Sequence, residues 1–238
     1  MDLIVEGFKK AFLLIYSLNP ELMEIVFLSL KVSLTALLIG TAAGVPVGAL
    51  VSLKKVPLKH LVLNIMNTSM GIPPVVAGLF LYLMLSRSGP LGFLGLLYTP
   101  SAMVIAQSIL AFPIVASLSY AAINGVPAII SQAATTLGAT RLQCTVAIIR
   151  EARYGILSAV AAAFGRLSAE VGAILIVGGN IAGRTRVITS AIVLETDKGD
   201  FAVAIALGIV LLCVSLCVNA VLYIISKRSR GGGERLWA

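Results

Sequence analysis

Charge is what this 238-residue chain has least of: Asp, Glu, Lys and Arg make up 12% of it, against 59% apolar residues and a mean hydropathy of +1.04. A soluble domain carries about 25% charged residues, so so sparse a charged surface excludes a water-soluble globule. Histidine occurs once, at His60, and cysteine three times. Cys213 and Cys217 stand four apart on one face of the last apolar run and read as small packing residues, and Cys144 reads as a reduced thiol. With a single histidine no metal-ligand set assembles, and no metal is expected. No Gly-Lys pair occurs, so the phosphate loop that cradles ATP in many ATPases is absent and no catalytic residue is expected. The net charge of +8 belongs to no basic soluble domain, which speaks against a nucleic-acid partner.

What remains is an all-α polytopic membrane protein. Five apolar runs reach the roughly 20 residues that a helix crossing needs: 25–53, 61–85, 101–123, 154–177 and 201–225. They are continuous rather than alternating, which fits helices and not barrel strands. The shorter run 11–18 follows Lys9 and Lys10 and ends at Asn19-Pro20; it lacks a small-residue cleavage site and reads as a helix lying along the bilayer surface. The expected organisation is one permease-like domain: an external interfacial helix over 1–21, a five-span core over 22–226, a cytoplasmic loop over 124–153 within it, and a cytoplasmic tail over 227–238. With the N-terminus outside, ten Lys and Arg fall inside and six outside, with Lys31 and Arg166 in spans. Lys31 reads as a snorkelling side chain. The stripe Gly40, Gly44 and Gly48 reads as close helix packing, within the chain or between protomers.

Residues 124–153 form a polar island between two spans. Val126, Ile129, Ile130, Ala133 and Leu137 recur at helical spacing, with Pro127 suited to a first turn and Gly138 to a helix end. Thr140 and Gln143 have capping-box spacing for a second helix striped by Leu142, Val146 and Ile149. A helix–glycine–helix with Arg141, Arg150 and Arg153 reads as a docking surface for a cytoplasmic partner. Inside the membrane, Arg166 lies roughly 18 Å along an ideal helix from Tyr154, near mid-bilayer, with Glu170 one turn on. The pair reads either as part of an anion path or as a structural ion pair. Pro73 and Pro74 break the second span, as a lining of a path or as a packing kink. The stretch 178–186, with Asn180, Arg184 and Arg186, reads as the outer mouth of an anion path, a docking site for a binding protein, or a plain loop.

The island resembles the cytoplasmic loop of bacterial ABC importer membrane subunits: Glu-Ala-Ala, three residues, Gly, nine residues, then Ile-x-Leu-Pro. Here the series is Gln132-Ala133-Ala134, Gly138 and Ile148, with Gln132 in place of Glu and Arg150-Glu151 in place of Leu-Pro. Flanking matches narrow the likeness to the molybdate/tungstate/sulfate branch: 71–78, Gly89-Pro90-Leu91-Gly92, Tyr98-Thr99-Pro100, Ala111-Phe112-Pro113, and Gly165-Arg166 with Glu170-Val171-Gly172-Ala173, followed by Gly178-Gly179-Asn180-Ile181. The segment 183–201 and the departure Glu151-Ala152-Arg153 look most like tungstate permeases. The resemblance implies a type-I ABC importer permease fold in a prokaryotic inner membrane, working as a homodimer. It implies that Gln132, Ala133, Ala134, Leu137, Gly138, Ala139 and Arg141 meet a separate ATPase that carries the ATP and Mg, with no cofactor on this chain. An external oxyanion-binding protein would deliver tungstate, or alternatively molybdate or sulfate. Two rivals stand outside this class. An ion-gradient secondary transporter would show an inverted repeat, and an intramembrane enzyme would cluster His, Asp or Cys in its spans.

Overall fold

A computed structural model describes residues 2–17, 20–54 and 56–230. They form ten helices: α1 (Asp2–Tyr16), α2 (Pro20–Leu53), α3 (Lys59–Met70), α4 (Pro74–Leu85), α5 (Pro100–Asn124), α6 (Ala128–Thr136), α7 (Arg141–Ser168), α8 (Gly172–Gly178), α9 (Ile188–Asp197) and α10 (Phe201–Arg230). Among the described residues there is no strand, as a bilayer-spanning chain without a closed barrel requires. Three helices, α2, α5 and α10, are long and apolar enough to cross alone, and two bent pairs, α3–α4 and α7–α8, bring the count to five if each pair is one crossing.

Both bent pairs depart from the straight spans read from hydropathy. The run 61–85 turns by 96° between α3 and α4. Pro73 and Pro74 lack N–H groups to continue α3, and Pro73 adopts an extended backbone (φ −61°, ψ 124°) that starts α4 afresh. The run 154–177 turns by 59° between α7 and α8. Its first helix also begins earlier than the hydropathy boundary: α7 starts at Arg141, so the second island helix and the fourth span are one helix of 28 residues. Helix α9 was not anticipated, and α1 extends well N-terminal of the apolar run at 11–18. The expected tail over 227–238 lies beyond position 230 largely outside the described residues.

The chain divides into two compact units, and α2, α5, α7 and α10 contribute residues to both. The first comprises the described residues up to Ala36, Pro73–Ile109 and Gly165–Asn219. Its core joins Leu22 and Ile25 of α2, Ile188 and Ala191 of α9, and Leu207 and Val210 of α10. Helix α4 lies close along α8: a Cβ on Gly78 would sit 2.7 Å from the Ala173 Cα. Helix α1 is tied to the start of α10 by Lys10, whose ammonium lies 3.4 Å from the Asp200 carboxylate.

The second unit comprises Leu37–Ile72, Leu110–Phe164 and the described residues from Ala220. The Gly40/Gly44/Gly48 stripe finds its partner within the chain, against Ala111, Val115 and Ala116 of α5. At Gly48 a Cβ would lie 2.5 Å from the Ala116 carbonyl oxygen, so only glycine lets these backbones approach. Ala49, Ile123 and Ala152 close a second core cluster where α2, α5 and α7 meet. Cys213 and Cys217 are exposed on α10 and so do not serve as packing residues within the chain.

Two outcomes follow from this packing. Gly48→Val in detergent should lower stability by about 1–3 kcal/mol through overpacking, whereas Gly208→Ala, with nothing within 4 Å of the added carbon, should be neutral; thermal unfolding of the two variants compares them. At the start of α10, the Val203 N–H, followed by Lys10, holds the Asp200 carboxyl below its ordinary value. That contribution is complete above the ordinary carboxylate range and is lost as pH falls through the lowered value. Amide exchange over 201–204 should therefore accelerate, beyond its intrinsic pH dependence, only below about pH 4.

Candidate coupling surface and anion path

The coupling surface is built from α6 and the first turns of α7. Pro127 caps α6 with an extended backbone (φ −58°, ψ 135°) rather than occupying its first turn. At the far end Gly138 takes φ +79°, the left-handed conformation that glycine adopts without a Cβ penalty. The Ala139 N–H then reaches back to the Ala134 carbonyl at 3.0 Å and the Gly138 N–H to the Thr135 carbonyl at 3.0 Å, the paired bonds of a glycine-terminated helix. Helix α7 opens with the expected capping box: the Gln143 N–H donates to Thr140 Oγ1 at 3.4 Å and the Thr140 N–H to Gln143 Oε1 at 2.7 Å. The turn Gly138–Thr140 is thereby fixed from both sides.

Part of the apolar stripe faces outward. Leu137 is 87% exposed, and Ile129, Leu142 and Val146 are exposed with it, while Val126, Ile148 and Ile149 pack on the core. Gln132, Ala133, Gly138 and Arg141 are exposed; Ala134 and Ala139 are half-buried. A groove of about 480 Å³ runs alongside, lined by Ile130, Leu142, Val146, Arg150 and Glu151. Ile129, Leu137, Leu142 and Val146 thus leave apolar surface exposed, and Arg150 lines the groove with two of them.

The first unit brings two helix breaks together. Val75, just inside α4, lies against Gly172 at the start of α8, where an added Cβ would be 2.6 Å from Val75 Cγ2. Glu170 sits in the α7–α8 break and is almost wholly buried. Its Oε1 accepts the Ala173 N–H at 3.0 Å, its Oε2 lies 3.4 Å from Arg166 Nη1, and its own carbonyl accepts from Thr189 Oγ1 at 2.9 Å. Gln107 Nε2 donates to the Leu167 carbonyl at 3.2 Å. The side chain of Arg166 is 43% exposed, so one face of the guanidinium meets Glu170 and the rest is open. Pro73 is exposed and Pro74 half-buried at the same break.

The mouth stretch is more tightly built than a plain loop. Asn180 adopts φ +50°, donates from Nδ2 to the Ser190 carbonyl at 3.2 Å and accepts from Ser190 Oγ at 2.9 Å. Thr185 Oγ1, fully buried, donates to the Gly178 carbonyl at 2.6 Å and accepts the Ile181 N–H at 3.0 Å. Arg186 lies 3.4 Å from Glu21. Arg184 is exposed and makes no ion pair among the described residues. Sequence reasoning singled out the glycines and arginines here and missed Gln107, Thr185, Thr189 and Ser190, which hold the backbone. Of these only Gln107, alone in an apolar span, carried a signal; serines and threonines are too common in spans to stand out.

Tyr98 belongs to the same surroundings. It takes φ +61°, its N–H donates to the Val177 carbonyl at 2.9 Å, and its ring covers Gly179, where a Cβ would meet the ring at 2.7 Å. The Tyr82 ring meets it edge-on, centroids 6.4 Å apart. The hydrogen bond to Tyr82, and then burial, raises the Tyr98 phenol above its ordinary value, so it stays protonated at neutral pH.

The sequence matches the family described as "Binding-protein-dependent transport system inner membrane component" over residues 40–231, and the chain belongs to that family. It is 44% identical over 223 residues to the tungstate uptake system permease protein TupB of Peptoclostridium acidaminophilum, covering 94% of this chain and 98% of the relative. It is 44% identical over 204 residues to a probable anion ABC transporter permease of Haloferax volcanii, covering 84% and 88%. With the molybdenum transport permease ModB of Escherichia coli K12 the identity is 31% over 225 residues, covering 90% and 98%. A solved chain of the inward-facing MetNI methionine ABC transporter superposes with a TM-score of 0.70 at 19% identity, covering 90% of this chain and 97% of that one. The fold is thus that of ABC importer permeases, and the protein is a multi-pass membrane permease.

Glu170→Ala tests the helix break. It leaves the buried Ala173 N–H without its acceptor and should cost about 1–3 kcal/mol, whereas Glu170→Gln, which retains an acceptor oxygen, should cost less. Chemical denaturation of the two variants in the same detergent orders them.

Proposed function

We propose that this chain is the permease subunit of an ATP-driven importer that carries tungstate inward across a prokaryotic inner membrane. The observation that carries the reading is its 44% identity, along nearly the whole chain, to a tungstate uptake permease. The exposed Leu137 patch between two capped helices supports it as a surface for an ATPase subunit that holds ATP and Mg. Two copies of the chain enclose the path, and an external binding protein delivers the anion. The N-terminus lies outside and the C-terminus in the cytoplasm, with 124–153 facing the cytoplasm. Molybdate is the second substrate reading, supported by the 31% identity to ModB; sulfate follows, from 27% identity to the sulfate permease CysT of Salmonella typhimurium.

On this reading the anion passes the α4 and α7–α8 breaks. Arg166 meets it with the guanidinium face that Glu170 leaves open, and Pro73 and Pro74 keep α4 from closing over the break. At the mouth Arg184 supplies an unpaired cation, while Asn180 and Arg186 hold the loop in shape. ATP binding closes the ATPases, displaces α6 and, through α7, shifts the break.

Proteoliposomes holding this chain, its ATPase and its binding protein should take up radiolabelled tungstate only with ATP. Gly138→Asp, which strains the left-handed turn, and Leu137→Asp, which places charge in the apolar patch, should each cut uptake at least tenfold and release the ATPase on co-purification. Uptake driven by an ion gradient without the ATPase would sink the reading in favour of a secondary transporter.

A further inference from the structure

The connection between α4 and α5 holds a cleft of about 430 Å³ whose lining includes Tyr82, Ser86, Arg87, Gly92, Leu97 and Tyr98. A water takes about 30 Å³ of liquid, so there is room for a tetrahedral oxyanion with part of its hydration shell. The side-chain polar groups in this lining are an arginine, two phenols and a serine, all hydrogen-bond donors. Arg87 makes no ion pair among the described residues, and the sequence offers it none nearby: no Asp or Glu occurs between Glu24 and Glu151. Arg87 is exposed at a concavity lined by hydrogen-bond donors, with its guanidinium uncommitted to any ion pair among the described residues, which is the chemistry that receives an oxyanion.

The cleft is also held rigid. The Leu91 N–H donates to the Met84 carbonyl at 2.9 Å and the Gly89 N–H to the Ser86 carbonyl at 2.7 Å, fastening the turn that carries Arg87 to the end of α4. On the opposite wall Tyr98 is kept in a left-handed backbone, a conformation strained for a non-glycine residue that persists where the surroundings over-determine it. The bond to Val177 and the seat on Gly179 are those surroundings. The Tyr82 and Tyr98 rings meet edge-on, centroids 6.4 Å apart, and both line the cleft.

We propose that this cleft is an anion subsite outside the helix breaks, where a free tetrahedral oxyanion is held by Arg87 with the Tyr82 hydroxyl and Ser86 before it moves on. The proposal rests on the oxyanion-importer reading above. Helix α5 joins this connection at one end to the coupling loop at the other, so on that reading the cleft opens on the outer side. Tyr98 is a positioning residue: its ring packs edge-on against Tyr82 and its N–H ties the cleft wall to the carbonyl of Val177, one residue before Gly178.

The test is equilibrium dialysis of radiolabelled tungstate, with molybdate and sulfate in parallel, against the permease–ATPase complex in lipid nanodiscs without binding protein. Wild type should bind. Arg87→Gln should raise the half-saturating concentration at least tenfold, Arg87→Lys less, and Tyr82→Phe several-fold, while the affinity of the complex for the binding protein stays unchanged. ATPase co-purification confirms that each variant is folded. The proposal is overturned if wild type binds no anion, or if binding survives Arg87→Gln and disappears in Arg166→Gln, which would place the only site at the helix break. It is equally overturned if Arg87→Gln weakens binding-protein docking and not anion binding, since the arginine would then pair with a carboxylate of that protein. ATP-driven uptake by the wild-type system, measured alongside, separates these outcomes from failure of the importer reading.

Discussion

A backbone that breaks inside a membrane-spanning segment must find partners for the groups it frees, because hydrocarbon supplies none. Two apolar runs of this protein break, at 71–73 and at 169–171, and three of its buried polar side chains bond at the second break. Glu170 accepts the first free N–H of α8, Gln107 takes the Leu167 carbonyl and Thr189 takes the carbonyl of Glu170 itself. The first break needs less, since its two prolines bring no N–H to satisfy. Its α4 half then lies against α8 closely enough that Gly78 and Gly172 admit no larger side chain without movement. Irregular backbone in two neighbouring spans, each secured on one side and open on the other, is what a polar path through a helical bundle requires.

Helix α7 connects this region to the coupling surface. It starts at Arg141, directly after the Gly138–Thr140 turn, and ends at Ser168, two residues before Glu170. Its 28 residues span about 42 Å as a continuous helix. Between Arg141 and Ser168 there is no loop, and the turn Gly138–Thr140 that joins α6 to α7 is hydrogen-bonded on both sides. On the proposed reading, a displacement imposed at α6 passes through that turn and along α7 toward the bonds at Leu167 and Glu170.

Much of this was legible in the sequence, for reasons that can be named. The island's helix–glycine–helix was readable because its signals are local: a glycine at a helix end and a Thr/Gln pair three apart act on their own neighbours. The apolar runs themselves followed from hydropathy, which depends on solvent alone; three of them are single helices long enough to cross, and five crossings result only if each bent pair is one span. Pro73 and Pro74 announced the first break without its 96° angle, and the 59° bend between α7 and α8 was not legible, since 154–177 reads as one continuous apolar run. The continuity of α7 through the polarity boundary at Tyr154 was hidden for a related reason: hydropathy marks where solvent changes, and a helix need not end there. At the mouth, Arg184 and Arg186 looked alike in sequence, and only Glu21, 165 residues away, distinguishes the paired one from the free one. Tyr98 stood out only as part of the family-like Tyr98-Thr99-Pro100, and its left-handed backbone was not legible, because that is a property of its seat on Gly179.

The contrast between Arg166 and Arg87 bears on how such a path would work. Arg166 has an acidic partner one turn away, and Arg87 has no acidic residue within its stretch of chain. A conducting site must attract an anion enough to admit it and weakly enough to release it. A carboxylate that already shares the guanidinium lowers the local positive potential and leaves only some of its donors free, which suits a point of passage. An arginine with no such partner in a cleft walled by hydroxyls suits a point of arrival, where the anion must be held against bulk water. On the proposed reading the chain thus carries one cation of each kind: Arg166 shares its charge with Glu170, and Arg87 pairs with no carboxylate among the described residues.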